Sequence, residues 1–497
     1  MKKIMCLIIS LIMALSLCMP AFASEDVKCP HVYVPGFASS TIYTDKDNPT
    51  ESIMNFEKEE LISFVSAELA PAFIVYAADK DADKLAATVS SGLNELFADW
   101  FNNPDGTAKG NAGVVLRYPS KSEIDAAGRL SFRYDWRADP FEVAAQLNDY
   151  INYVIENGKY DKVALSSHSM GSVIITTYLS VYGSDKITGI VFDSPTIDGI
   201  TYIGELLNCR TVVTTASLTA AMKTLMSENE YEEIVSSFLD IFEMAGMTES
   251  VSDFLDGALE KIYPTLCKET LIPLFGYWLP IWAMVPESQV EESIEFIFDG
   301  ICKDQDLSVL RSKVEAYNSL VRENRYQTLT DFDKKGRFAV ISRYGYSNLP
   351  ITDSWSLLGD SVVETKSSSL GAVTAPVGEC LSDEYLEGKD MKYISPDKTV
   401  DASTCLFPEK TWFIKNFTHS DASSALPLHS KLLFAQTEAT CDNFELPRFT
   451  AFDGADESFP EDESAPVKNE KLTPFKILFN FLKALFNTIK NFFKGRI

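Results

Sequence analysis

Short runs crowded with Val, Ile, Phe and Tyr recur along the chain: HVYVPGF from His31, AGVVLRYP from Ala112, RLSFRYDW from Arg129, YDKVALSS from Tyr160, ITGIVFDSP from Ile187, RFAVISRYG from Arg337 and TWFIKNFTH from Thr411. Between them apolar residues return every three or four positions, as in PFEVAAQLNDYINYVIENG from Pro140, which is the period of a helix with one buried face. Apolar strands alternating with amphipathic helices predict an α/β domain whose mostly parallel central sheet is covered on both faces. Two stretches interrupt the alternation, at about 55–101 and about 199–335, and both read as helical insertions. The second contains GYWLPIWAMVPE, Gly276–Glu287. Two tryptophans and a methionine between prolines suit either a packed core turn or the wall of an apolar channel. Trp278, Trp282 and Met284 are therefore candidate substrate-binding residues.

The two ends follow other patterns. Residues 1–23 have Lys2 and Lys3, an apolar run and the ending Ala21-Phe22-Ala23, which predicts an export signal cut after Ala23. Residues 471–497 place Lys476, Asn480, Lys483, Asn487, Lys490 and Lys494 three or four apart among Phe, Leu and Ile. That spacing predicts an amphipathic helix with one polar stripe. Lysines recur along its whole length, and each costs roughly 2.5–3.5 kcal/mol at a bilayer centre, so residues 475–494 are expected to lie in a membrane interface rather than span it. Docking on the body of the protein, or on another copy of itself, is the alternative. The stretch 455–470, acidic and interrupted by Pro460 and Pro466, reads as a linker.

Charge sharpens this division. The chain carries 44 basic and 71 acidic residues, a net charge of −27. Setting aside the two lysines of the leader and the six basic residues of the tail leaves 36 basic residues in the body, against all 71 acidic ones. An acidic body gives no invitation to nucleic acid. Of nine cysteines, Cys6 and Cys18 belong to the leader and seven remain, scattered and without a CxxC pair, so no zinc site is expected. An exported chain permits disulfides, and an odd number leaves at least one thiol outside any internal pair.

The chemistry centres on VALSSHSMGSVIITTYL, Val163–Leu179. A β-branched run, then small residues, then a helical pattern is the order of a nucleophile elbow, with Ser169 on the turn and small residues two positions either side. Those neighbours are Ser167 and Gly171, so the usual first glycine is replaced by another small residue. A serine nucleophile needs a base, and the chain has four histidines: His31, His168, His419 and His429. His31 opens the first strand, and His168, beside Ser169, points away from its hydroxyl. His429 falls within a helical pattern. His419 ends the run TWFIKNFTH, where a strand hands over to a loop, and is the favoured base. Asp360, in SLLGDSVVETKSSSLG, is the favoured acid to orient it, with Asp193 of IVFDSP as the competitor. The order Ser169, Asp360, His419 is that of an α/β-hydrolase. Backbone N–H groups of Met170, after the nucleophile, and of Phe37, in the loop VPGFASS, are the candidate oxyanion donors.

Together, HVYVPGFASSTIY, FRYDWR, SSHSMGS and GDSVVETKSSSLG resemble the lecithin:cholesterol acyltransferase-like and lipase branch of the α/β-hydrolases. YDWR, Tyr134–Arg137, is the most specific of these pieces. The resemblance covers the sheet regions of roughly 30–433, is thin across the insertions and absent from the tail. It implies an α/β-hydrolase domain over 24–454, with Ser169, Asp360 and His419 as triad and Phe37 and Met170 as oxyanion donors. FDSPTIDG stands where an A-P-x-G-G-like turn is expected. The expectation is a secreted serine esterase or lipase acting on lipid or other esters, without cofactor, held at a surface by its tail. An acyltransferase with the same triad and a non-catalytic surface-binding protein are the alternatives.

Overall fold

The computed structural model describes residues 29–53, 70–126, 128–211, 251–348 and 352–451. The export signal, the linker and the basic tail lie outside the described residues.

Seven strands form one sheet: β1 (His31–Val34), β2 (Arg129–Ser131), β3 (Val163–His168), β4 (Ile187–Asp193), β5 (Arg337–Tyr344), β6 (Thr411–Lys415) and β7 (Phe449–Ala451). Their spatial order is β7-β6-β5-β4-β3-β1-β2, and every neighbouring pair is parallel. The expected α/β architecture with helical insertions is therefore present. β3 and β4 are buried along almost their whole length, which is why they read as continuous apolar runs rather than alternating ones. The helices used below are α1 (Ala70–Asp79), α2 (Ala82–Leu96), α3 (Pro140–Gly158), α4 (Gly171–Tyr182), α5 (Val251–Leu266) and α6 (Ala422–Leu433).

α3 shows how local sequence sets an element. Asp139 caps it by accepting the Phe141 N–H, Pro140 supplies a preset φ at its first position, and Lys159 ends it in a left-handed conformation. Val143, Ala144, Leu147, Ile151 and Val154 give it one buried stripe. In the insertions, α1, α2 and α5 bury Tyr76, Leu85, Ala86, Val89, Ala258 and Ile262 in a small core of their own. Among the described residues no helix is long and apolar enough to cross a membrane.

One expected strand does not form. Residues 114–119 of AGVVLRYP run outside the sheet, with Val115, Leu116 and Tyr118 exposed. The run has β-branched composition, but its start is held by the loop after β1 instead, where Gly113 and Tyr43 exchange backbone hydrogen bonds at 2.8 and 2.9 Å.

One disulfide joins Cys209 to Cys267, while Cys29, Cys302, Cys380, Cys405 and Cys441 are free thiols. The bond closes a loop of 58 residues, which loop-closure entropy values at about 4 kcal/mol. Cys209→Ser/Cys267→Ser is expected to lower the urea midpoint without altering the central sheet. An unchanged midpoint would show that the bond constrains nothing in the unfolded chain.

Candidate active site

The sheet's register decides where its loops emerge. Val34 of β1 lies beside Ser167 of β3, His168 beside Asp193 of β4, and Asp193 beside Ile341 of β5. The segments after β1, β3, β4, β5 and β6 therefore leave from one edge, the carboxyl edge. Chain order reverses between β1 and β3, with β2 on one side and β4 on the other. That reversal opens the crevice in which open α/β sheets receive ligands. Ser169 sits at its mouth.

Ser169 has φ 54°, a left-handed conformation that a non-glycine residue adopts at a cost of about 1–2 kcal/mol. Two glycines make the turn possible. A Cβ on Gly171 would stand 2.1 Å from the Val34 carbonyl oxygen, so only glycine lets α4 start so close to β1. A Cβ on Gly36 would stand 2.9 Å from Ser169 Cβ and 3.5 Å from its Oγ, so the loop after β1 lies directly against the serine. Ser167, in place of the usual glycine, is accommodated but fully buried, and its hydroxyl has no partner among the described residues. Such an orphan costs about 1–3 kcal/mol.

The loop carrying Phe37 is braced from several sides. Ala38 is left-handed, with φ 56°. Tyr134 donates its hydroxyl to the Pro35 carbonyl at 2.6 Å, and Trp136 donates its indole N–H to the Ser40 carbonyl at 3.1 Å. Arg137 forks onto Asp135 at 3.2 and 3.0 Å and donates to the Asp99 carbonyl at 2.9 Å. YDWR thus ties the loop after β1 to the first insertion. Among the described residues, neither the Phe37 nor the Met170 N–H is spent on a backbone carbonyl. The latter belongs to the unpaired donors at the start of α4.

Asp360 and His419 are brought together across 59 positions. His419 Nδ1 lies 2.8 Å from Asp360 Oδ2, and the His419 N–H donates to the Asp360 carbonyl at 2.9 Å. Asp360 follows a two-residue ribbon strand, Leu358–Gly359, paired with Tyr346–Ser347. Its Oδ1 accepts the N–H groups of Val362 and Val363 at 3.0 and 2.7 Å. Complete burial alone would raise this carboxyl. The charge and hydrogen bond of His419, the Ser194 hydroxyl and the Val363 N–H outweigh it and hold the group at about 2.

Asp193, the competing acid, serves a different partner. Arg343 forks onto it at 3.0 and 2.6 Å, with both side chains fully buried, and His168 Nδ1 stands 3.2 Å away. Burial would raise Asp193, but Arg343 foremost, then His168, keep it well below the ordinary carboxylate range. His168 itself is lowered to about 4 by burial and by the neighbouring His419, against the pull of Asp193. Its ring lies 4.5 Å from that of His419, centroid to centroid. Among the described residues no hydrogen bond joins Ser169 Oγ to His419. Such contacts are often long in unliganded enzymes and tighten with substrate.

His429 is fully buried in α6, its Nε2 3.3 Å from Asp193 Oδ2 without hydrogen-bond alignment. His31 is bound to Ser166 Oγ at 2.7 Å. Neither reaches Ser169's loop through a hydrogen bond. Trp278 and Trp282 are buried, donating to the carbonyls of Trp100 at 3.1 Å and Gly276 at 2.7 Å. Trp282 stacks on Phe298, and Met284 is buried beside it in the core. Trp278 reaches the site from behind, its ring 6.1 Å from that of Phe37.

Ser194 and Arg343 were not legible as site residues in the sequence. Ser194 is left-handed, with φ 47°, and donates its hydroxyl to Asp360. Arg343 sits inside an apolar strand pattern, and an arginine there was the signal that a buried carboxylate would face it.

No protein-family model and no curated protein matches the chain. Among solved structures, one titled the crystal structure of the Tle4-Tli4 complex aligns over 36% of this chain and 48% of that one, at 15% identity and a TM-score of 0.20. A likeness that slight carries no argument about function.

Proposed function

We propose that this protein is a serine hydrolase of carboxylic esters, with Ser169 as nucleophile, His419 as base and Asp360 as the acid that orients it. The observation that carries the reading is the strained turn at Ser169, on the sheet edge that also bears the Asp360–His419 pair. Ser169 Oγ attacks the ester carbonyl while its proton passes to His419 Nε2. Asp360 holds the Nδ1–H and stabilises the imidazolium. The N–H groups of Phe37 and Met170 receive the oxyanion. As the intermediate collapses, the carbon–oxygen bond to the alcohol breaks and His419 returns the proton to it. Water, deprotonated by the same histidine, then attacks the acyl-serine and releases the acid.

The resemblance to the lecithin:cholesterol acyltransferase-like and lipase branch supports a lipid ester as substrate. The leader and tail patterns support an exported enzyme held at a lipid or cell surface. A fluorophosphonate probe on the full chain tests the chemistry: labelling of the wild type, lost in Ser169→Ala and in His419→Ala, is expected. A folded wild type that stays unlabelled with and without detergent overturns the proposal. Long-chain p-nitrophenyl esters should turn over faster than the acetate; equal rates would leave an esterase and remove the lipase. Products formed with an added alcohol separate hydrolysis from acyl transfer.

A further inference from the structure

Asp193, the last residue of β4, and Ser194, the next along the chain, reach opposite halves of the site. The Asp193 carbonyl accepts the Ser169 N–H at 2.9 Å, and the Asp193 side chain holds His168. The Ser194 side chain turns the other way. Fully buried, it donates its hydroxyl to Asp360 Oδ2, the same oxygen that faces His419 Nδ1, and its Oγ stands 3.5 Å from that nitrogen. Its own N–H is tied to the Ile341 carbonyl at 2.8 Å, and its φ of 47° keeps it left-handed. A strained non-glycine residue at such a point implies that its side chain has a use, because glycine would occupy the same backbone without penalty.

We propose that Ser194 is a positioning residue for the reaction at Ser169, its hydroxyl setting how strongly Asp360 holds His419. The inference rests on the serine-hydrolase reading for its kinetics, and on geometry alone for its effect on His419. With Val362 and Val363 on Oδ1, and Ser194 and His419 on Oδ2, the carboxylate has four donors. Removing the hydroxyl leaves His419 as the sole donor to Oδ2, which strengthens that contact and makes the imidazole more basic. The charged and titratable groups around His419 are Asp360 from the loop after β5 and His168 from β3, with Asp193 and Arg343 behind His168. Asp421, two residues on from His419, binds Thr418. Of these groups, Asp360 accepts the Ser194 hydroxyl directly, and His419 Nδ1 stands 3.5 Å from it.

Ser194→Gly separates the hydroxyl from the backbone, since it relieves the left-handed φ while deleting the donor. Expected are a roughly tenfold fall in kcat with KM unchanged, a melting temperature that holds or rises, and an acidic limb of the kcat/KM profile moved to higher pH. Ser194→Ala, which keeps the left-handed backbone and deletes only the hydroxyl, should show the same fall in rate and the same shifted profile. A second readout needs no activity. With only four histidines, 13C-histidine labelling resolves His419 by comparison with His419→Gln. Its titration midpoint should rise in Ser194→Gly while those of the other three stay in place. An unmoved His419 midpoint overturns the proposal, whether or not the wild type hydrolyses esters. Unlabelled, inactive wild type whose His419 midpoint still moves would instead overturn the serine-hydrolase reading and leave the positioning role standing. A Ser194→Gly protein that loses stability in step with activity would mark a merely structural residue and also overturn it.

Discussion

Ser169→Ala is expected to lower kcat for an activated ester by a factor on the order of 10⁴ to 10⁶, with the fold and the melting temperature retained. In the proposed reaction Ser169 and His419 act as one unit, so His419→Ala should cost a comparable factor, and the double variant little more than either single one. Asp360→Asn is expected to lose on the order of 10⁴, because the amide presents a donor to Nδ1 and selects the wrong tautomer. The backbone supports this separation of stability from rate. Alanine at position 169 keeps the same strained turn and removes only an oxygen that makes no hydrogen bond to His419 in the described structure. Steady-state kinetics on purified full chain decides it. Multiplicative losses in the double variant would show that the two side chains act independently and that Ser169 is not the attacking group.

Arg343→Met is expected to destabilise the protein by about 3–5 kcal/mol, since it strands the fully buried Asp193 carboxylate without its charge partner. The same guanidinium donates to the Thr418 carbonyl at 2.5 Å, one residue before His419, so the loop bearing the base should loosen as well. Asp193→Asn in the Arg343→Met background should recover part of the loss, because the uncompensated charge is then gone. Urea midpoints for the two single variants and the double one form the cycle, and simple additivity would mean the pair does not interact.

The pH dependence follows from the same cluster. Asp193 and Asp360 have depressed folded values, so their contribution is complete above the unfolded carboxylate range near 4 and is lost as pH falls below it. His168 is depressed to about 4 from an ordinary value near 6.5, so the unfolded chain takes its proton first. Stability should therefore start to fall below pH 6.5, by about 3 kcal/mol from this residue, and more steeply below 4. Arg343→Met should flatten the first part of that fall, because His168, then the countercharge to Asp193, takes its proton in the folded state nearer its ordinary value.

Much of the architecture is legible in the chain because burial imposes a period. The runs at Tyr160, Ile187 and Arg337 are apolar without alternation, as strands covered on both faces must be, and they became β3, β4 and β5. The run at Ala112 has a similar composition and stays outside the sheet, because composition states only a preference and its Gly113 pairs with Tyr43 in the loop after β1. The turn at Ser169 could be read locally, since Gly171 and the change from strand to helix lie within a few residues of it. So could the scarcity of histidine, which left few candidates for a base.

Which of those residues meet is a different kind of fact. Asp360 and Asp193 each follow a strand and look alike in sequence; the register of β4 against β5 places one beside Arg343 and leaves the other free to face His419. Ser194 carries no mark of its own, being one serine after an aspartate, and acquires a partner only when a loop 166 positions later folds over it. The aromatic segment around Trp278 was open between core and channel, and burial against Trp100, Trp136 and Phe37 placed it behind the loop after β1. The elements and the turn that strains Ser169 follow from local sequence, because periodicity, small residues and backbone sterics act over a few positions. Which carboxylate meets which histidine emerges only on folding, because contacts across long separations depend on register and on where charge can be buried with a partner.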